Sequence, residues 1–554
     1  MSQHVEIETK FSVSESTPVP NLDAIDGFTY VERQEVHHLS ATYFDTEDLR
    51  LTRSKITLRR RTGGNDAGWH IKLPGVLGRK EIQAPLNDDQ KNNPYTDTDL
   101  TPPRELLGNV RALTQGRPLI PIAQVDNERH VSYLADDLAN IVAEFCDDHV
   151  STISFLPGGF RKQWREWEFE IANDQLAEEE VLALLESAHD VLTAGGAIAS
   201  KSPSKLVSAL DDSIDNAPPL PRVAQLPKGE PARGVLNALA NNAAKIVHYD
   251  PLVRANKYDS VHQMRVATRE LRSHMQTFEG ILGGEQYLHI ENELKTLATI
   301  LGKARDAEVI EERLQQLLDS EFAEACDEQT KTELLNDIHA EYRRAHKRVV
   351  RALDDDRYTN LLQALEDLLS NPPLIQNDEL NSADNTDSAK SESPTPVSPI
   401  DASQVLLNHL EKAFDHLIKL EKKARKQWND PTVGIATREE NFHKVRKAAK
   451  KLRYSAEAVG KATPHNTKKL YSTCRTLQSI LGDYQDAITT RDKLHRRAIN
   501  AHKQGKDTFL YGVLYQHEHS LSRHYLNNYA EAFKSIKKAH AQLIKKASKK
   551  KPKK

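Results

Sequence analysis

Sulfur and aromatic side chains are scarce in this chain, with three cysteines, three methionines and four tryptophans among 554 residues and aromatics at 6%. Cys146, Cys326 and Cys474 lie far apart and match no zinc-ligand spacing. That excludes a structural zinc site and a disulfide framework as organising devices. Three packing thiols in a reducing compartment fit better. No apolar run reaches 18 residues, so no membrane-spanning helix is expected. The start, Met1-Ser2-Gln3-His4, leads straight into a strand pattern rather than the apolar core of a secretory signal. The expected location is the cytoplasm. There is also no aromatic-basic stacking motif of the kind that single-stranded nucleic acid requires, so nucleic acid is not an expected partner.

Charge, by contrast, is plentiful: 76 Lys and Arg stand against 80 Asp and Glu, for a net charge of −4. Its distribution is uneven, and residues 546–554 form a basic tail without an acid. Such a tail either solubilises the chain or drifts onto a polyanion.

The length suits several domains. Residues 1–212 have mixed α/β character, with strand-like runs at 4–12, 54–61, 68–73, 79–84, 127–134, 141–147 and 164–171. The spacing of Leu176, Val181, Leu184, Leu185, Ala188 and Leu192 predicts a helix over 175–193. A proline-rich linker spans 213–232. Helical periodicity then runs over 233–545, interrupted at about 372–402 by a Ser, Asp, Asn and Pro-rich insert expected to be disordered.

The helical half repeats itself. His262-Gln-Met-Arg265-Val-Ala-Thr-Arg269-Glu-Leu271-Arg272 returns 181 residues later as His443-Lys-Val-Arg446-Lys-Ala-Ala-Lys450-Lys-Leu452-Arg453. Leu301-Gly302, followed by Asp306-Ala307, returns 180 residues later as Leu481-Gly482, followed by Asp486-Ala487. Two matches at nearly one offset predict an internal duplication, built as a helical bundle with pseudo-two-fold symmetry. At about 100° per residue, His262, Arg265, Arg269 and Arg272 fall within an arc of about 80°, with Leu271 opposite. His443, Arg446, Lys450 and Arg453 repeat that geometry. Crowded cations repel one another, and a stripe made twice suits an anionic ligand such as phosphate.

In the strand-rich half, alternation places charged residues on one face and apolar residues on the other. Glu6, Glu8 and Lys10 oppose Val5, Ile7 and Phe11. Arg59 and Arg61 share a face with Thr57. His70 and Lys72 oppose Trp69, Ile71 and Leu73. Arg79 and Glu81 share a face, as do Glu166, Glu168 and Glu170. One such strand is ordinarily a solvated sheet face. Segregation of the acids and bases onto different strands points instead to a charged cavity, with acids gathered on one side and bases across from them. Metal ions on the acids and a polyphosphate on the bases would neutralise it.

Glu6-Ile-Glu8-Thr-Lys10 resembles the ExExK signature of the CYTH family, the triphosphate tunnel metalloenzymes. Tyr43-Phe-Asp-Thr46, Leu58-Arg59-Arg-Arg61, Trp69-His-Ile-Lys72, Glu166-Trp-Glu168-Phe-Glu170 and Ser204-Lys205 are similar to its further blocks, in the same order. The resemblance implies an eight-stranded antiparallel β tunnel barrel with flanking helices, an α+β fold. It implies Glu6, Glu8, Glu168 and Glu170 as ligands for Mg²⁺ or Mn²⁺, with Glu166 a further member of its strand. It also implies Lys10, Arg59, Arg61, Lys72, Arg129 and Lys205 as phosphate ligands, joined by Arg79. Glu6, Glu8, Lys10, Arg59, Arg61 and Lys72 form the expected catalytic set. Ser208 stands where the family commonly has arginine. Lys201 competes with Lys205, and Asp147 with Asp148, for a place in the site.

The repeated His-x-x-Arg-x-x-x-Arg/Lys-x-Leu-Arg stripe resembles the CHAD domain, an all-α domain often placed behind CYTH and associated with inorganic polyphosphate. The resemblance implies polyphosphate binding by His262, Arg265, Arg269, Arg272, His443, Arg446, Lys450 and Arg453. The expectation is therefore a divalent-metal-dependent hydrolase of inorganic triphosphate or a related linear triphosphate, cytoplasmic or at polyphosphate granules. The competing readings are a non-catalytic polyphosphate-binding protein, an adenylate cyclase and a thiamine triphosphatase.

Overall fold

The computed structural model describes residues 2–75, 78–86, 101–173, 175–227, 231–277, 282–324, 327–374, 402–463 and 465–549. Cys326, most of the 372–402 insert and residues 550–554 of the basic tail lie outside them. Cys146 and Cys474 are buried and free. The chain divides into two compact units, Met1–Leu220 and Pro221–Lys554.

The first unit is built on one antiparallel sheet. Its strands are β1 (Ser2–Glu6), β2 (Glu8–Val13), β3 (Tyr30–Asp45), β4 (Thr57–Thr62), β5 (Gly68–Pro74), β6 (Arg79–Pro85), β7 (Ile120–Ala135), β8 (Ile141–Ser154), β9 (Arg161–Ile171) and the two-residue β10 (Ile198–Ala199). Their spatial order is β1-β6-β5-β4-β3-β7-β8-β9-β2-β10. Because β1 pairs with β6 while β2 pairs with β9, the first strand, interrupted only at Ile7, joins the two ends of the sheet and curls it into a tunnel. With β1 and β2 counted as one strand and β10 left aside, the expected eight strands are there.

The hydrophobic core lies outside this tunnel. Trp69, Trp167, Phe11, Phe145, Phe169 and Ile71 are fully buried on the outer face, where each gains about 1.5–3 kcal/mol or more from burial. Helix Glu178–Ala194 covers part of that face with Val181, Leu184, Ala188 and Leu192. The short helix Lys205–Leu210, capped by Ser204 Oγ, covers another part with Leu206, Ala209 and Leu210. Leu106 and Val110 close a third cluster over Trp69 and Ile71. The outer face thus carries the stability, and the lumen is free to be polar.

Asp45 ends β3 structurally. Its buried carboxylate accepts the backbone N–H groups of Thr46, Leu51 and Thr52 at 2.7, 2.9 and 2.8 Å, fixing the turn into helix Arg50–Arg53. β3 went unread in sequence; its first part, Tyr30-Val-Glu-Arg-Gln-Glu, is largely exposed and charged and carries no apolar alternation.

The second unit is helical. Among the described residues, five α-helices precede the insert: Pro231–Arg254, Ser260–Thr277, Glu285–Leu318, Glu328–Asp354 and Asp356–Ser370. Five follow it: Ala402–Trp428, Ile435–Ala462, Lys468–Lys503, Phe509–Tyr525 and Tyr529–Lys549. The repeated stripes occupy the second helix of each set and the repeated Leu-Gly pairs the third. Ile310 and Leu314 of the first set pack with Leu494, Leu510 and Leu514 of the second, so both sets share a core. Among the described residues no helix is long and apolar enough to cross a membrane.

Candidate functional site

Residues directly paired across adjacent strands share a face, and the register turns one face of every strand inward. Glu8 lies opposite Glu170 and Lys10 opposite Glu168. Asp148 pairs with Glu166, and Arg129 with Asp148. Tyr43 pairs with Arg59, Arg59 with His70, Lys72 with Glu81, and Glu6 with Arg79. The lumen is a cavity of about 210 Å³ lined by Glu6, Glu8, Lys10, Arg59, Arg61, Lys72, Arg79, Arg129, Glu168, Glu170 and Lys205, among others. The barrel residues expected as catalytic, phosphate-binding or metal-binding groups therefore line one cavity, whereas Glu166, the further member of its strand, is not among the lining residues.

The four expected metal ligands fall into two groups. Carboxylate oxygens of Glu6, Glu8 and Glu170 lie within 4.8 Å of one another, and those of Asp148, Glu166 and Glu168 form a second such set. The second set is already neutralised. Lys205 Nζ lies 2.8 Å from Asp148, 2.6 Å from Glu166 and 2.7 Å from Glu168. Lys10 and Arg129 also pair with Glu168, and Arg129 Nη2 lies 2.6 Å from Asp148. Burial opposes the Glu168 charge, but Lys10, Lys205 and Arg129 outweigh it and hold the carboxyl well below its ordinary range.

The first set is short of positive charge. Glu6 pairs with Lys72, and Glu8 with Lys10 at 3.0 Å. Glu170 has no ion pair among the described residues. Burial, then the charges of Glu6 and Glu8, push its carboxyl up to about 8. Three converging carboxylates with one driven toward protonation make an oxygen-rich site that a divalent cation would satisfy.

The basic wall shows the opposite imbalance. Burial, then Arg59 and Arg129, pull the Arg61 guanidinium down to about 9, although Asp66 pairs with it at the cavity's edge. Arg59 donates to Tyr43 Oη at 3.4 Å. An anion between these guanidiniums would relieve their repulsion. Acids and bases are thus less segregated than the strand pattern suggests. Antiparallel register sets Lys10 and Arg129 among the acids, and Lys205 reaches them from its helix.

Placement separates the competing candidates. Lys205 lies in the lumen, and Lys201 is exposed. Asp148 is buried on the inward face, bonded to Asn127 at 2.9 Å and to Arg129. Asp147 points outward to Arg165 and Trp167. Sequence reasoning did not assign Tyr43, Glu81 and Asn127 to the site. Tyr43 stood in a motif block, and Glu81 shared a face with Arg79; those were the available signals.

In the helical unit the two stripes meet. Lys450 on helix Ile435–Ala462 is pulled down to about 6 by burial, then by Arg269 and Arg265 of helix Ser260–Thr277, and by its own neighbours Arg446 and Arg453. Burial lowers His262 and His443 below the ordinary imidazole range. Arg272 and Arg453 are partly neutralised, by Glu291 at 3.3 Å and Glu270 at 3.7 Å. The repeated glycines lie against the arginines of the stripe. A methyl group at Gly302 would sit 3.6 Å from Arg265 Nε, and one at Gly482 would sit 3.3 Å from Arg446 Nη2. Asp306 lies 3.6 Å from Arg265.

Comparison with known proteins matches the CYTH domain to residues 4–199 and the CHAD domain to residues 237–495. Two uncharacterized Mycobacterium tuberculosis proteins, Rv2226 of strain H37Rv and MT2285 of strain CDC 1551, are each 34% identical over 553 residues, covering 97% of both chains. Among solved structures, the CHAD domain from the plant Ricinus communis is 18% identical with a TM-score of 0.34, covering 59% of this chain and 96% of its own. A Hippeastrum protein described as a putative adenylyl cyclase with a dominant triphosphatase activity is 19% identical with a TM-score of 0.23, covering 37% and 93%. The chain belongs to the family of proteins in which a CYTH domain is followed by a CHAD domain.

Proposed function

We propose, from the premise that this chain is a CYTH–CHAD protein, that it is a divalent-metal-dependent hydrolase of inorganic triphosphate or a closely related linear triphosphate, whose helical domain binds inorganic polyphosphate. The observation that carries this reading is the paired imbalance of the tunnel: a carboxylate cluster short of cations shares its cavity with Arg61, whose guanidinium is pulled down by burial and by its cationic neighbours.

Glu6, Glu8 and Glu170 would hold a Mg²⁺ or Mn²⁺ ion, which when bound supplies charge neutralisation and Lewis-acid activation of water and phosphate oxygen. Arg59, Arg61 and Lys72 grip phosphate oxygens and stabilise the charge that develops on the leaving phosphate. Arg79 joins them from the tunnel edge. Lys10, Arg129 and Lys205, held by Glu168 and Asp148, form a fixed cationic floor beneath the substrate. Glu168 acts here as an anchor for those cations and not as a member of the ion-binding trio. The helical stripes, with His262, Arg265, Arg269 and Arg272 on one side and His443, Arg446, Lys450 and Arg453 on the other, would dock a longer phosphate chain.

The test is a phosphate-release screen over pyrophosphate, tripolyphosphate, long polyphosphate, ATP and thiamine triphosphate with each metal. Tripolyphosphate is expected to be the preferred substrate. Glu8→Gln should lower its turnover by about 10²–10³, with long-chain polyphosphate binding kept. Arg265→Glu with Arg446→Glu should do the reverse. No phosphate release with either metal ends the enzymatic reading.

A further inference from the structure

One buried pair in the barrel has no part in that mechanism. His70 on β5 is fully buried, and Glu81 on β6 is 3% exposed. Both imidazole nitrogens face acceptors: Nδ1 lies 2.6 Å from Glu81 Oε1, and Nε2 lies 2.9 Å from the main-chain oxygen of Asp66. A carbonyl oxygen only accepts, so Nε2 carries a proton. A neutral ring would then turn a bare Nδ1 lone pair toward a carboxylate oxygen, which is repulsive at 2.6 Å. The contact needs a proton between Nδ1 and Oε1. Burial, then Arg59 and Arg61, pull the imidazole down to about 4 against the Glu81 hydrogen bond. It is therefore the short contact of a ring whose two nitrogens both face acceptors, not the basicity of the ring, that calls for a proton shared between Nδ1 and Oε1.

The Glu81 carboxylate has three further basic side chains near it that it does not fully engage. His4 Nε2 lies 3.4 Å away, Arg59 Nη2 3.5 Å and Lys72 Nζ 3.9 Å. A charge-assisted hydrogen bond would bring such partners to about 2.7–2.9 Å. Glu81 is therefore held one step short of pairing with the two cations assigned to the phosphate chain. Its restraint runs through His70 to the backbone of Asp66, between β4 and β5, whose own carboxylate pairs with Arg61.

We propose that His70 is a positioning residue whose proton-carrying bond to Glu81 keeps that carboxylate from closing onto Arg59 and Lys72, so that Glu81 does not compete with substrate for them. Without His70, Glu81 competes with phosphate for the basic wall. The cost then falls on substrate binding more than on the chemical step. This rests on the tunnel being the triphosphate site.

Steady-state kinetics with tripolyphosphate, together with ¹⁵N NMR of histidine-labelled wild-type protein, test it. His70→Phe should raise KM about ten-fold with kcat little changed, and His70→Gln, which keeps an amide donor for Glu81, should recover most of the loss. In a Glu81→Gln background the effect of His70→Phe should vanish, which a purely structural role would not produce. In the wild type, Nδ1 of His70 should carry or share a proton from about pH 6 to 8. An unprotonated Nδ1, a fall in kcat at constant KM, or an undiminished His70→Phe effect in the Glu81→Gln background each overturns the proposal. If the wild type releases no phosphate, the triphosphatase reading fails by itself. The NMR signal, and tripolyphosphate Kd in place of KM, then still decide the role of His70. If His70→Phe does not fold, the wild-type NMR measurement decides alone.

Discussion

Replacing Glu170 with glutamine should make the metal-free barrel more stable while removing its affinity for metal. Glu170 is pushed from an ordinary 4.5 to about 8 by burial, then by Glu6 and Glu8. Between those two values the carboxyl is neutral in the folded chain and ionised in the unfolded one, so unfolding releases a proton. Stability therefore falls as pH rises from about 4.5, and the loss is complete above about 8. At pH 7 the linkage amounts to on the order of 3 kcal/mol, taking 1.36 kcal/mol per pH unit over most of that interval. Glutamine has no charge to suppress, so Glu170→Gln should raise the melting temperature of the metal-stripped barrel by roughly 5–10 °C at pH 7. The gain should shrink toward zero near pH 4.5. In the wild type, a divalent ion must displace the Glu170 proton, so metal affinity should rise about ten-fold per pH unit up to about 8 and then level off. Calorimetric unfolding of the stripped protein at pH 5, 7 and 8.5, with Mn²⁺ titrations at the same values, measures both effects. Metal affinity that is flat from pH 6 to 8, or a Glu170→Gln protein that melts lower than wild type without metal, would refute the assignment of the unneutralised trio.

Two further substitutions probe the helical stripe and the turn after β3. Lys450 sits at about 6, below its unfolded value, so its folded-state penalty is greatest at low pH and fades as pH climbs toward the ordinary lysine range. Lys450→Met should therefore raise the melting temperature of the polyphosphate-free protein more at pH 6 than at pH 9, while weakening polyphosphate binding in salt titrations. Equal shifts at both pH values would count against crowding by the four arginines. Asp45→Ala leaves two buried N–H groups and one partly buried one without their acceptor and should destabilise the barrel by about 2–4 kcal/mol in urea unfolding. A loss below about 1 kcal/mol would mean that the turn is held by other contacts.

The lumen was legible in sequence because strand geometry is periodic. Alternation alone put Glu6, Glu8 and Lys10 on one face and Trp69, Ile71 and Leu73 on the face away from His70 and Lys72, and Glu6, Glu8, Lys10 and Lys72 line the cavity. The helical stripes were legible for the same reason, with duplication confirming the period. Three features were not. The exposed half of β3 had no apolar signal. Register put Lys10 directly across from Glu168, so the acids and bases interleave. Tyr43 stood in a motif block outside the runs read as strands, and Glu81 looked like an ordinary member of its strand, until the folded barrel surrounded them with cations.

The order of charged and apolar residues along the chain determined which side of each strand turns inward and which side of each basic helix is charged, because those choices follow from the local backbone repeat. Which carboxylate lacks a counter-ion is a property of neighbours distant in sequence. Glu168 and Glu170 are two residues apart on the same strand face, yet one is held ionised by Lys10, Lys205 and Arg129 while the other is driven to about 8 by Glu6 and Glu8. Only closure of the sheet, with β2 laid along β9 and Lys205 brought in from its helix, makes them different.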